Sequence, residues 1–215
     1  PSPQDDNGYD IADYRDIEPV FGTLVEAEKL IGEAHAVGLR VIIDIVPNHC
    51  SDRHPWFQEA LAGEGRDRFW FHEGDGPPND WQSRFGGPAW SQAPDGSWYL
   101  HLYSPEQPDL NWTNPQVRAE FESILRFWLD RGVDGFRIDV ADGLVKDFSK
   151  PDAELPYSDQ DGVHDIYRSW RKVLDEYRDE RVFVGEMWLP DPERFARYLR
   201  AVTAGVKDVQ EWAVG

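Results

Sequence analysis

One cysteine and one methionine stand among 215 residues. A lone Cys50 excludes an internal disulfide, and that scarcity fits a reducing, cytoplasmic compartment. Basic residues are also short: 22 Lys and Arg face 41 Asp and Glu, for a formal net charge of −19. This balance argues against nucleic acid or an anionic membrane surface as partner, and it suits a neutral substrate. No apolar run is long enough to span a bilayer. There is no glycine-rich phosphate loop. The chain opens without Met in a Pro/Asp/Asn stretch, which predicts a start inside a longer protein.

Aromatic residues are plentiful, with ten tryptophans. Residues 1–22 are rich in turn signals, Asp5-Asp6-Asn7-Gly8 above all. Thr23 and Glu26 then form a capping box ahead of a helix striped by Ala27, Leu30, Ile31 and Ala34, and Gly38 stops it. Leu39–Ile45 follows as a continuous apolar run, the pattern of a strand covered on both faces of a parallel sheet. The pattern repeats. Asn114 and Pro115 open a helix carrying Val117, Phe121, Ile124, Leu125 and Trp128, and a strand ends at Asp139. A third helix with Ile166, Trp170, Val173, Leu174 and Tyr177 precedes the strand Val182–Gly185. A fourth opens at Asp191-Pro192, with Phe195, Leu199 and Val202 facing inward.

Alternating helix and strand with short links predicts an α/β fold with a parallel sheet and right-handed crossovers. Each strand delivers polar residues at its C-terminal end: Asn48 and His49, Arg137 and Asp139, Glu186. Active sites of (β/α)8 TIM barrels are built at that end. A doubly wound sheet also binds ligands there, but usually on a phosphate loop. With three strands legible, the chain reads as part of a barrel: residues 1–46 and 114–215 barrel, residues 47–113 an inserted small subdomain. The insert holds six tryptophans (Trp56, Trp70, Trp81, Trp90, Trp98, Trp112), and Ser97–Tyr103 alternates like a strand. Most of these rings are expected in the insert's own core, the remainder free to stack on a sugar face.

Arg137 and Asp139 share one face of their strand, since strand side chains alternate. A fixed guanidinium beside a carboxylate keeps it ionised, which fits a nucleophile, a metal ligand or a structural ion pair. Glu186 completes an acid pair on the next strand. Glycoside hydrolysis needs such a pair, one carboxyl ionised and one protonated. Three carboxylate-ended strands also suit Mg²⁺, although Arg137 would crowd a cation from the same pocket. Asp44 reads as buried structure. His49 is either a satisfied core histidine or a donor to a substrate hydroxyl. His164 and Asp165, at a helix start, read as capping and surface.

Asp44-Ile45-Val46-Pro47-Asn48-His49, Gln107-Pro108-Asp109-Leu110-Asn111-Trp112, Gly135–Asp139 and Gly185-Glu186-Met187-Trp188 stand in the order of the α-amylase superfamily motifs. With Asp6-Asn7-Gly8-Tyr9-Asp10 they resemble its α-glucosidase and oligo-1,6-glucosidase branch. The resemblance implies a retaining exo-α-glucosidase acting on short α-glucosides, with Asp139 the nucleophile and Glu186 the general acid/base. It implies that Arg137, His49 and Tyr9 line the glucose pocket and that Asp6 holds the far hydroxyls of a terminal glucose. It places the insert after the third barrel strand. Val140 falls at the rim where the leaving sugar enters, and a valine there is similar to the α-1,6-cleaving members.

Two departures follow. The family's third acid has no counterpart in this chain. The Lys-His that helps bind calcium in true α-amylases is replaced by Asp142-Gly143, so no cofactor is expected, and calcium only through residues outside the chain. Trehalose- or sucrose-acting transglycosylases and isomerases of the same family remain alternatives. So do non-catalytic transporter-partner subunits, although the full set Asp139, Glu186, Arg137 and His49 favours an enzyme.

Overall fold

Thr23 opens the first regular element of the computed structural model, which describes residues 1–203. Its side chain accepts the Glu26 N–H at 3.3 Å, and the Glu26 carboxylate accepts the Thr23 N–H at 2.8 Å, closing the capping box. The helix α1 runs Leu24–Ala36 and gives way at Gly38, whose φ of +82° lies where glycine is favoured. Strand β1 (Ile42–Ile45) follows. After α2 (Pro55–Leu61) come three short strands, β2 (Phe71–His72), β3 (Trp90–Gln92) and β4 (Trp98–Leu100). The chain then alternates again: α3 (Pro115–Leu129), β5 (Gly135–Ile138), α4 (Val163–Leu174), β6 (Val182–Gly185) and α5 (Pro192–Thr203).

Strands β1, β5 and β6 form a parallel sheet in that order. Its register aligns Ile45 with Ile138 and Ile138 with Gly185. At Gly135 a Cβ would sit 2.2 Å from the Val182 carbonyl oxygen, so the β5–β6 approach requires glycine. The central strand is covered on both sides, with Phe136 wholly buried, whereas Val184 on the edge strand β6 is 43% exposed. Among the described residues both outer strands lack a further neighbour.

That openness corrects several expectations. Ile31 is buried on α1, but Leu30 is exposed. On α5 the inward residue is Tyr198, while Phe195 and Leu199 are exposed; the side chain of Val202 lies outside the described residues. These apolar groups face the sides where the sheet ends. By contrast, α3 buries its whole predicted stripe, because it packs against α4 within the described fold. His164 is buried rather than capping: its ring lies edge-on to Tyr198 at 4.6 Å, and neither ring nitrogen has a partner.

Strands β2, β4 and β3 make a separate antiparallel sheet. It packs its own cluster of Trp81, Ala89, Trp90, Leu100 and Leu102, reinforced by Phe148 and Tyr157 from beyond the segment 47–113. Other parts of that segment, among them Cys50, Phe57, Phe69 and Trp112, belong to the main core. The segment 47–113 is therefore shared between two cores. Trp81, Trp90 and Trp112 are buried, and Trp56, Trp70 and Trp98 are partly buried against the two clusters; the strand expected over Ser97–Tyr103 covers only Trp98–Leu100.

Candidate active site

The register fixes the acid pair. Asp139 and Glu186 each stand one residue beyond an aligned pair, Ile138 and Gly185. Their backbone N–H groups still donate across the sheet, Asp139 to the Ile45 carbonyl at 3.0 Å and Glu186 to the Ile138 carbonyl at 2.9 Å. Both carboxyls thus leave rigid backbone on neighbouring strands.

Arg137 joins them. One terminal nitrogen donates to Asp139 at 3.0 Å, to Asp44 at 2.7 Å and to the Tyr9 hydroxyl at 3.3 Å. The other pairs with Glu186 at 3.1 Å. Burial works against the guanidinium charge, but Asp44 and Asp139 more than offset it and its pKa rises. Asp44 is exposed, not buried as the sequence suggested, because among the described residues no further strand covers that edge of β1. With the guanidinium divided among three carboxylates, it does not hold Asp139 ionised. Burial, then the charge of Glu186, push Asp139 up to about 7 against Arg137. A pair poised to take up one proton near neutrality is the state that acid and nucleophile chemistry shares between two carboxyls.

A cavity of about 390 Å³ opens above the pair. Six of the seven residues singled out from sequence line it: Asp6, Tyr9, His49, Asp139, Val140 and Glu186. Arg137 does not line it but bonds three residues that do. Asp6 and Tyr9 reach it because buried Asp10 accepts the Ser2 hydroxyl at 2.6 Å and the N–H groups of Asp5 and Asp6 at 2.9 and 3.3 Å, tying the leader into a turn. Sequence reasoning missed that role of Asp10, although it closes the quoted Asp6–Asp10 motif.

His49 is 1% exposed, and burial lowers its pKa. Its Nε2 lies 3.1 Å from the Tyr9 carbonyl and its Nδ1 3.1 Å from the Asn48 amide. Nε2 also lies 3.0 Å from the Gln107 amide nitrogen. Its nitrogens are thus engaged inside the protein, and it positions Tyr9 instead of offering a free donor. Gln107 donates to Asp6 at 2.9 Å and was overlooked as a site residue. The exposed rings at the cavity are Phe85 and Trp188, not the tryptophans of the insert.

Val140 follows Asp139 with φ +49°, a region that a β-branched residue rarely enters. Its N–H points to the Glu186 carboxylate at 3.4 Å, and its carbonyl accepts the Gly143 N–H at 3.0 Å. Behind this turn the Lys146 ammonium occupies a nest of three oxygens, from Asp109 (2.8 Å), Asn48 (2.7 Å) and the Gly143 carbonyl (2.6 Å). An oxygen cluster already holding the chain's own cation does not fit a second one. Among the described residues no group of three His, Cys, Asp or Glu is placed to hold a metal ion. No described helix is long and apolar enough to cross a membrane.

The alpha-amylase catalytic domain family matches residues 1–210. The chain is 43% identical over 207 residues to the trehalose-6-phosphate hydrolase of Escherichia coli, covering 92% of this chain and 37% of that protein. It is 46% identical over 215 residues to the oligo-1,6-glucosidase of Heyndrickxia coagulans, covering 92% and 38%. The crystal structure of Bacillus licheniformis trehalose-6-phosphate hydrolase superposes with a TM-score of 0.83 at 38% identity, covering 90% of this chain and 39% of that one. The chain spans less than two fifths of the length of these relatives.

Proposed function

The chain belongs to the alpha-amylase catalytic domain family, and on that footing we propose that it carries the catalytic pair of a cytoplasmic, retaining exo-α-glucosidase acting on short α-glucosides. Its three parallel strands are then three neighbouring strands of a (β/α)8 barrel, with the active site at their C-terminal ends. The observation that carries the reading is the carboxyl pair of Asp139 and Glu186, locked one residue past the aligned strand ends and bridged by Arg137.

In the first step an Asp139 oxygen attacks the anomeric carbon of the terminal glucose. The bond to the leaving oxygen breaks as Glu186 gives that oxygen its proton. In the second step Glu186 takes a proton from water, whose oxygen attacks the same carbon and releases Asp139. Asp6 and Tyr9 hold the glucose end, the buried Gln107 amide positions Asp6, Arg137 steadies both carboxyls, and His49 positions Tyr9. No step calls for a metal or an organic cofactor.

The test is the anomeric configuration of the first product. The full-length protein is given p-nitrophenyl α-glucoside, whose leaving group is not a sugar, and the released glucose is followed by proton NMR before it mutarotates. Retention delivers α-glucose from the non-reducing end first. Early β-glucose would mean inversion and would overturn the roles given to Asp139 and Glu186.

A further inference from the structure

Four carboxylates line the cavity, those of Asp6, Asp139, Asp142 and Glu186, against one guanidinium, that of Arg84. Arg84 sits in the Ser83–Gly87 turn, which is closed by the Ser83 N–H on the Gly87 carbonyl at 2.8 Å and hung from the antiparallel sheet by its own N–H on Leu102 at 2.8 Å. Its guanidinium lies over the ring of Tyr157 at 5.2 Å. Tyr157 belongs to the segment between β5 and α4, so the two side chains reach toward each other from different parts of the chain. In a protein with nearly two acidic residues for every basic one, Arg84 makes no ion pair among the described residues.

The depth of the cavity orders its residues. His49 is 1% exposed; the Tyr103 ring packs on it at 5.1 Å, and Phe85, 60% exposed, packs on Tyr103 at 5.4 Å. Arg84, next to Phe85, therefore stands at the mouth, while Asp6 and Tyr9 stand with His49 at the inner end. In an enzyme that takes a terminal glucose inward, the mouth receives the leaving sugar. A guanidinium held over the face of an aromatic ring still has N–H donors to offer.

We propose that Arg84 is the residue that binds the leaving sugar, donating to its hydroxyl oxygens from the face of Tyr157. The sugar it takes is neutral, because a phosphorylated one would enter a cavity lined by four carboxyl side chains and a single guanidinium. This rests on the glucosidase reading above.

Two substrates separate the idea from a general defect. Maltose carries a leaving sugar, whereas α-glucosyl fluoride places only fluoride in the mouth and reports the fraction of competent enzyme. In the full-length protein, Arg84→Met should lower kcat/KM for maltose at least tenfold more than for α-glucosyl fluoride, chiefly through KM. Proportional losses on both substrates, or no loss on maltose, would overturn the role of Arg84. If the unmodified protein released no fluoride, the glucosidase reading itself would fall first.

Discussion

Lys146 and Asp109 meet at 2.8 Å with both side chains fully buried. Asp109 comes from the long excursion after β1, and Lys146 from the segment between β5 and α4. With Asn48 and the Gly143 carbonyl also bound, the ammonium ties three stretches of chain together behind the active site. Burial lowers the lysine pKa, and the Asp109 carboxylate opposes that shift. Removing one member of such a pair strands the other charge in the interior, at a cost of about 3–5 kcal/mol. Lys146→Met in the full-length protein should lower its unfolding free energy by that order in urea titration. Lys146→Met with Asp109→Leu should recover part of the loss. A single variant as stable as the parent would show that water reaches the pair.

The Gly135 position makes a prediction about the sheet itself. Its missing Cβ leaves room for the Val182 carbonyl, which a methyl group would meet at 2.2 Å. Backbone cannot rotate away as a side chain can. Gly135→Ala should therefore part β5 from β6, destabilising the protein by about 1–3 kcal/mol, the usual range for overpacking. It should also cost activity, since Asp139 and Glu186 lie at the far ends of these two strands. Unfolding midpoints and maltose turnover measured together test both halves. A stable variant with lost activity, or the reverse, would break the link between strand approach and acid placement.

Helices and strands were legible where local signals agree with burial. The Thr23–Glu26 box, the Asn114-Pro115 start and the apolar stripe of α3 each specify an element by short-range chemistry, and each is present. The acid pair was legible because strand ends carry it. Burial of particular residues was less so. Leu30, Phe195 and Leu199 have core-like spacing, but their burial depends on elements beyond the open edges of the sheet. The Lys146–Asp109 pair and the reach of Arg137 to Asp44 and Glu186 are long-range contacts with no periodic trace in sequence.

Asp139 links the site to pH. Its folded pKa, raised to about 7 by burial and by Glu186, lies above the ordinary value of 3.8. Between these values the folded protein holds a proton that the unfolded chain has lost. The resulting stabilisation is full below about pH 4 and is lost as pH rises to about 7. Asp139→Asn cannot ionise, so its melting temperature should gain on the parent from pH 4 to pH 7 and keep that gain at pH 8. Parallel pH profiles for the two proteins would show that Arg137 does hold Asp139 ionised.

On the proposed glucosidase reading, Val140 joins backbone strain to linkage preference. A β-branched residue at φ +49° carries strain on the order of 1–3 kcal/mol. The surrounding contacts hold it there, and a Cβ on Gly143 would lie 2.6 Å from Val140 Cγ1, so the turn admits no bulkier neighbour. Val140→Thr keeps the branching and the backbone but turns one methyl at the cavity wall into a hydroxyl. Differences of this size in a pocket contribute about 1–3 kcal/mol of discrimination. The ratio of kcat/KM for maltose to that for isomaltose should rise several-fold in the threonine variant, with the melting temperature little changed. Val140→Gly, which relieves the strain and removes the side chain, should blur the preference and slow both reactions as Asp139 loses its fixed exit from the strand. An unchanged ratio in Val140→Thr would take this residue out of the specificity of the enzyme and leave linkage preference to residues beyond this chain.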